Sequence, residues 1–308
     1  MIQMLITILL ALALDRFLPD RGGFQILNWY RDWAESIELR FNGGTRTQGV
    51  AAVLLALAPI ILAIIVIRYA LVRIAPVLGS LFDMLVLYLC LDLFRLGQTA
   101  VSVSEHLDQG DLAAANRDLG DLSGKMTSEN TESGVAHAAV EAVLKQGNSL
   151  LIAPLFWFIM LGPGGAAAQR LVAILDKMWG HRNPRFAEFG WAAARLNDLL
   201  GWIPARLTAV SYAFMGSFED ALHCWRRQAG MWSDINSGPL LASGLGAMHM
   251  HHCEDTDSGD GTPTGGWSVV ADSADIRRVI ALVWRVLLFW FAVAVLIAAG
   301  RIFGLWVR

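Results

Sequence analysis

The sequence predicts an all-α, polytopic integral membrane protein with about five transmembrane helices and helical polar loops. Three observations lead there. Of 308 residues, 55% are hydrophobic and 17% are charged, against roughly a quarter charged in an average soluble domain. The apolar residues gather in long runs, and a bilayer core needs about 20 apolar residues per helix. Between the runs, polar and apolar residues recur at helical spacing.

Composition also excludes classes of function. The 24 Lys+Arg and 27 Asp+Glu give a net charge of −3, so no basic footprint for nucleic acid exists. The apolar content is too high for whole-chain disorder. Cys90, Cys224 and Cys253 stand at unrelated spacings, which fit neither a disulfide framework nor a zinc ribbon.

Residues 2–14 form a short apolar run closed by Asp15 and Arg16. No basic residue precedes it and Ala-Leu-Asp-Arg-Phe is a poor cleavage site, so it reads as a retained helix. Residues 15–49 read as an amphipathic helix ending near Asn42-Gly43-Gly44, with Trp29, Arg31 and Trp33 suited to a membrane interface. Residues 50–67 are the clearest span. Residues 74–93 follow and carry Asp83 and Asp92. At about 100° per residue these two acids fall on opposite helix faces, so each reads as a helix end or an interhelical bond.

Residues 94–148 read as two soluble helices with a turn at 127–133. Residues 150–168 are the next span, interrupted at Gly162-Pro163-Gly164-Gly165. Residues 202–218 hold Pro204 and Arg206, and a charge at mid-bilayer costs about 2.5–3.5 kcal/mol. This sixth segment therefore reads as re-entrant or packed against other helices. Residues 279–300, with Trp284, Arg285, Phe289, Trp290 and Phe291, form the last span. The chain reads as one membrane domain over 1–308: N-terminal helices 1–93, a hairpin 94–148, a motif-bearing core 149–278 and a C-terminal helix 279–308. If residues 202–218 do not cross, the basic stretch 170–278 is one face, which the positive-inside rule places in the cytoplasm.

The densest polar cluster holds Asp176, His181, Arg182, Asn183, Arg195, Asn197, Asp198 and Arg206 among residues otherwise apolar. Ionisable groups in a membrane protein either pair or line a site. Arg forks suit phosphate and carboxylate, and Asp suits a magnesium ion bridging phosphates. One reading is an anionic-substrate or nucleotide-phosphate site; the other is a network of ion pairs tying helices together. A second cluster, Asn236-Ser237-Gly238-Pro239 followed by the small residues 242–247, allows close helix packing or a backbone approach to a ligand. The tract Met248-His249-Met250-His251-His252-Cys253-Glu254-Asp255 has ligand types for a transition metal, but its spacing matches no closed four-ligand site. It reads as solvated loop. No phosphate loop, dinucleotide fingerprint or nucleophile elbow occurs.

The order of these motifs resembles the CobD/CbiB membrane proteins of cobalamin biosynthesis and, more distantly, the AmpE proteins. The resemblance runs from about Leu89 to Val286. It rests on Ala153-Pro154-Leu155-Phe156, on Leu175-Asp176-Lys177-Met178-Trp179-Gly180, and on Ala194-Arg195-Leu196-Asn197-Asp198 with Pro204-Ala205-Arg206-Leu207. Asn236–Pro239, Ala242–Ala247, Gly259-Asp260-Gly261 and Asp275-Ile276-Arg277-Arg278 continue it. Two family segments are altered. The Gly-Asp-Pro…His-Pro-Val stretch is replaced by Asp15 to Gly22, and the Glu-Asn-x-x-Asp-Gly stretch by Leu144 to Leu150, with Glu141 nearby.

The resemblance implies an amide ligase that joins adenosylcobyric acid to an amino-alcohol or its phosphate, giving adenosylcobinamide (phosphate). It implies ATP and magnesium as co-substrates and a corrinoid as substrate. Asp176, Asp198 and Arg195 would be catalytic, with Asp176 and Asp198 holding magnesium. His181, Arg182, Asn183, Asn197, Arg206, Asn236 and Ser237 would bind substrate. The expected setting is a bacterial inner membrane, with the lipid bilayer as partner and a homo-oligomer possible. The AmpE branch implies the alternative, a non-catalytic membrane signalling or regulatory protein.

Overall fold

The computed structural model of the chain describes residues 2–17, 23–124, 129–180, 185–232, 234–250 and 270–302. These residues form α-helices and no strand. In order they are α1 (Ile2–Phe17), α2 (Gly23–Phe41), α3 (Arg46–Ile74), α4 (Pro76–Cys90), α5 (Leu93–Asp108), α6 (Leu112–Ser123), α7 (Glu132–Gly147), α8 (Ala153–Leu161), α9 (Pro163–Trp179), α10 (Trp191–Met215), α11 (Phe218–Gln228), α12 (Ser237–Ala247) and α13 (Ser273–Ile302). Among the described residues, four helical stretches are long and apolar enough to cross a membrane: Arg46–Ile74, Pro76–Asp108, Glu132–Leu161 and Ser273–Leu296. At 16 residues, α1 falls short of the roughly 20 that a span needs, and the segment 202–218, most of which lies in α10, is not among the four.

Local sequence signals account for most boundaries. The amphipathic stretch becomes α2, where exposed Trp29 and Trp33 stack at 6.3 Å. Thr45 caps α3 by accepting the Gln48 N–H. Pro76 opens α4, a position where its missing N–H loses nothing. Two expectations change. Residues 94–148 hold three helices rather than two, because Gly110 turns the chain at φ +72° and Asp111 caps α6 by accepting the Ala114 N–H at 2.9 Å. The apolar run 150–168 is not one span. A π turn over Asn148–Ile152 leads into Pro154 and α8, and Gly162, at φ +71°, ends α8 before Pro163 opens α9. The membrane-length stretch runs instead from Glu132 to Leu161.

Of the two roles open to Asp83 and Asp92, helix end or interhelical bond, Asp83 takes the second, and Asp92 stands just past the end of α4 and also faces another helix. Arg68 of α3 donates to both Asp83 oxygens at 2.7 and 3.1 Å, and Asp92 faces Arg170 of α9.

The chain divides into two compact units. The first comprises Met1–Arg95, Ser149–Pro204 and Phe291–Arg308. Its core joins Tyr30, Ala34 and Ile37 of α2, Ala52, Val53, Ala56 and Leu57 of α3, and Leu171, Val172, Ile174, Leu175 and Trp179 of α9, closed by Phe189 and Ala193. A proline defect in this unit is repaired from another helix. Pro204 sits inside α10 and offers no N–H to the carbonyl four residues earlier. That carbonyl belongs to Leu200, and the Trp157 indole N–H donates to it at 2.9 Å. Trp157→Phe is expected to lower stability by about 1 kcal/mol, the loss of one part-buried hydrogen bond. In a Pro204→Ala background the loss should largely vanish, since the new N–H reaches Leu200. Thermal unfolding of the four proteins in detergent measures this cycle.

The second unit comprises Leu96–Asn148 and Ala205–Trp290. Here α12 packs on α7 and α11. A Cβ on Gly244 would press into Leu144, and one on Gly246 into the Asp220–Ala221 backbone. The small residues of 242–247 thus serve close packing. Three buried polar groups are matched within the unit: Tyr212 donates to the Leu144 carbonyl at 3.0 Å, Ser243 to the Ala209 carbonyl at 2.6 Å, and Thr208 to the Asn148 side chain at 2.9 Å.

Candidate functional site

In the first unit the chain between α9 and α10 is pinned to the start of α3 and the end of α2. Trp179 and Phe189 meet edge to face at 5.2 Å. The Gly190 N–H donates to the Phe186 carbonyl at 2.7 Å. Glu38, buried at the end of α2, accepts both prongs of the Arg185 fork at 3.0 and 2.7 Å and the Asn42 amide at 2.8 Å. The Glu38 carboxylate raises the Arg185 guanidinium further above its usual range. Arg46 of α3 donates to Glu188 at 2.6 Å.

This frame sets two helices side by side. From α10, Asn197 donates to Asp176 Oδ2 of α9 at 2.9 Å. Gly180 makes room for that carboxylate, because a Cβ there would collide with Asp176 Oδ1. The spacing Asp-x-x-x-Gly in Leu175–Gly180 therefore has a steric cause. Arg195 and Asp198 pair with each other at 3.4 Å, one helical turn apart, with the Arg195 side chain exposed. A surface pair of this kind contributes about 0–1 kcal/mol. His181, Arg182 and Asn183 lie outside the described residues.

The remaining predicted residues belong to the second unit. Arg206 donates to Asn236 Oδ1 at 3.2 Å, and desolvation lowers its guanidinium. Asp234 organises the turn before α12. It accepts the Asn236 N–H at 3.0 Å and the Ser237 hydroxyl. Of the histidine tract, His249 contacts Asp220 at 2.9 Å, and residues 251–255 lie outside the described residues. Among the described residues no group of three His, Cys, Asp or Glu is placed to hold a metal. Magnesium does not require such a cage. It binds through one or two carboxylates, substrate phosphates and water, a donor set that Asp176 with Asp198 fits in kind.

One cluster in the first unit escapes the sequence reading. Arg170 of α9 is buried, its Nη2 lies 3.7 Å from Asp92 Oδ2, and its Nε has no hydrogen-bond partner. Desolvation lowers its guanidinium, and Arg31 and Arg95 act in the same direction. Lys177, which keeps part of its side chain at the surface, is pushed down to about 8 by desolvation and by the charges of Arg170 and Arg31. The available signal was a lone Arg within the apolar face of α9. Its partners, 78 and 139 residues earlier in the chain, carry no local mark.

The model of the family described as CobD/Cbib protein matches residues 8–283. The chain is 43% identical over 242 residues to the cobalamin biosynthesis protein CobD of Stutzerimonas stutzeri, covering 77% of this chain and 78% of that one. The CobD protein of Chromobacterium violaceum is 39% identical over 266 residues, covering 84% and 82%. That of Mycobacterium tuberculosis is 32% identical over 200 residues, covering 61% and 62%. No solved structure matches the chain.

Proposed function

The chain belongs to the CobD/CbiB family of cobalamin biosynthesis, and from that premise we propose that it is an amide ligase acting on a corrinoid. It joins the carboxylate of adenosylcobyric acid to the amine of an amino-alcohol or its phosphate. The observation that carries this reading is the Asp176–Asn197 contact at 2.9 Å. Asp176 stands in a motif of the family, Asn197 stands beside the motif's Asp198, and Gly180 leaves room for the carboxylate. The cobalamin names of the relatives favour the ligase over an AmpE-like regulatory role.

A carboxylate oxygen is a poor leaving group, and ATP with magnesium supplies the activation when bound. The chain's own residues orient. Asp176 presents negative charge to magnesium or to the incoming ammonium, and Asn197 fixes the carboxylate's rotamer. Arg195 lies one turn before Asp198, where its fork can reach phosphate.

The test uses membranes of a bacterium lacking its own cobinamide synthase. With this chain expressed, adenosylcobyric acid, amino-alcohol phosphate, ATP and magnesium should yield a product heavier by one amide-linked amino-alcohol phosphate. Growth on adenosylcobyric acid should be restored as well. A membrane-inserted protein that gives neither product nor growth would return the reading to the regulatory branch.

A further inference from the structure

We infer that Arg170, Arg31 and Lys177 form a phosphate-binding site in the first unit, for a phosphate ester or a phospholipid headgroup. The site is independent of the ligase reading. Its centre is Arg170, a residue only 8% exposed. Five N–H donors in a fixed fork ask for oxygen acceptors. Asp92 stands at 3.7 Å, beyond hydrogen-bond length, and Nε is unmatched. A buried polar group left unsatisfied requires an explanation.

The surroundings name the class of ligand. Arg170 and Lys177 are seven residues apart on α9, so they project within about 20° of one another. Arg31 adds a third positive charge from α2, and Arg95 a fourth from the start of α5. Arg31 also donates to Asn28 Oδ1 at 2.9 Å, and positive charges that act on the buried Arg170 favour an anion beside it. Asp92 is the facing carboxylate. Asp15, beside it, is pushed up by burial and so offsets less of the charge. A phosphate brings up to two negative charges and several acceptor oxygens, which matches an Arg fork and a point-charge Lys together. On the same two helices, the Tyr30 hydroxyl and Gln169 Oε1 are also buried without partners. The setting on α2 beside stacked Trp29 and Trp33 makes a lipid headgroup a possible source alongside a soluble ester, since basic pockets of membrane proteins take anionic headgroups.

The experiment uses the full chain in phosphatidylcholine nanodiscs, titrated with inorganic phosphate and followed by phosphorus NMR line broadening. A parallel arm uses phosphatidylglycerol discs and native mass spectrometry. Wild type should bind phosphate saturably, and Arg31→Gln and Lys177→Gln should each weaken it about tenfold, the loss of one charged hydrogen bond. If the source is lipid, phosphatidylglycerol stays bound after detergent extraction, excludes phosphate, and is released by the same substitutions. Arg170→Lys keeps the charge but loses the fork. It should fold and bind at least tenfold more weakly. Folded wild type that retains neither phosphate nor lipid, or variants that bind as wild type does, would overturn the site and leave Arg170 to Asp92 and water.

Discussion

Asp176→Asn is expected to lower amide formation by at least about a hundredfold while leaving a folded membrane protein. The substitution keeps volume and removes one charge. Its neighbour Asn197 donates to Oδ2 at 2.9 Å, and an Asn at 176 still offers a carbonyl oxygen to that donor. Gly180 leaves the same room. Packing is therefore preserved and the loss falls on the charged state. Removing a group that stabilises developing charge costs 10²–10³ in rate. Asn197→Ala should cost less, about 10- to 100-fold, because it acts through the orientation of Asp176.

The separation of roles is measurable. Asp176→Asn should lower kcat at saturating magnesium, whereas Asn197→Ala should be partly rescued by raised magnesium. Thermal unfolding in detergent supplies the control. Wild-type turnover by Asp176→Asn would remove Asp176 from the chemistry. Parallel losses of rate and thermal stability would make the pair a helix clamp.

Membrane character and the helix α2 were legible because hydropathy and amphipathic period act within a short window. So was the interhelical use of Asp83, since a charge in an apolar run must find a partner. The hairpin at 94–148 was undercounted for a local reason: Gly110 and Asp111 form a turn and cap inside a stretch whose helical spacing hid the break. The candidate site divides the same way. The motifs singled out Asp176 and Asn197 as candidates, but that α9 and α10 bring them into contact is a tertiary event that no local pattern carries. Arg170 with Asp92, and Trp157 with the Leu200 carbonyl, depend on partners 78 and 43 residues away. No periodicity encodes such pairs. The relief of a proline defect by a distant indole is a tertiary event that only the packed chain specifies.

Among the described glycines, Gly190→Ala should be the most damaging added methyl. The glycine N–H bonds the Phe186 carbonyl at 2.7 Å, and a Cβ would run into the Trp179 carbonyl oxygen and come within 3.0 Å of that of Phe186. Both obstacles are backbone, so neither can swing aside as a side chain tip would. Relief requires the end of α9 to move from the start of α10. Overpacking of this kind costs about 1–3 kcal/mol and occasionally more, and rigid backbone on two sides argues for the upper end. Gly49→Ala strikes the other side of the same segment, against the Phe189 carbonyl, and should fall close behind. Gly230→Ala meets nothing within 4 Å and should be neutral, which controls for the loss of glycine itself. Thermal midpoints in detergent rank the three. Activity gives the sharper readout, because Trp179 closes the helix that carries Asp176 and Gly190 opens the one that carries Asn197. Any fraction of Gly190→Ala that folds has those helices displaced, so its turnover should fall more than its folded population. A Gly190→Ala protein with wild-type midpoint and turnover would mean that the approach of these two backbones does not set the geometry of the site.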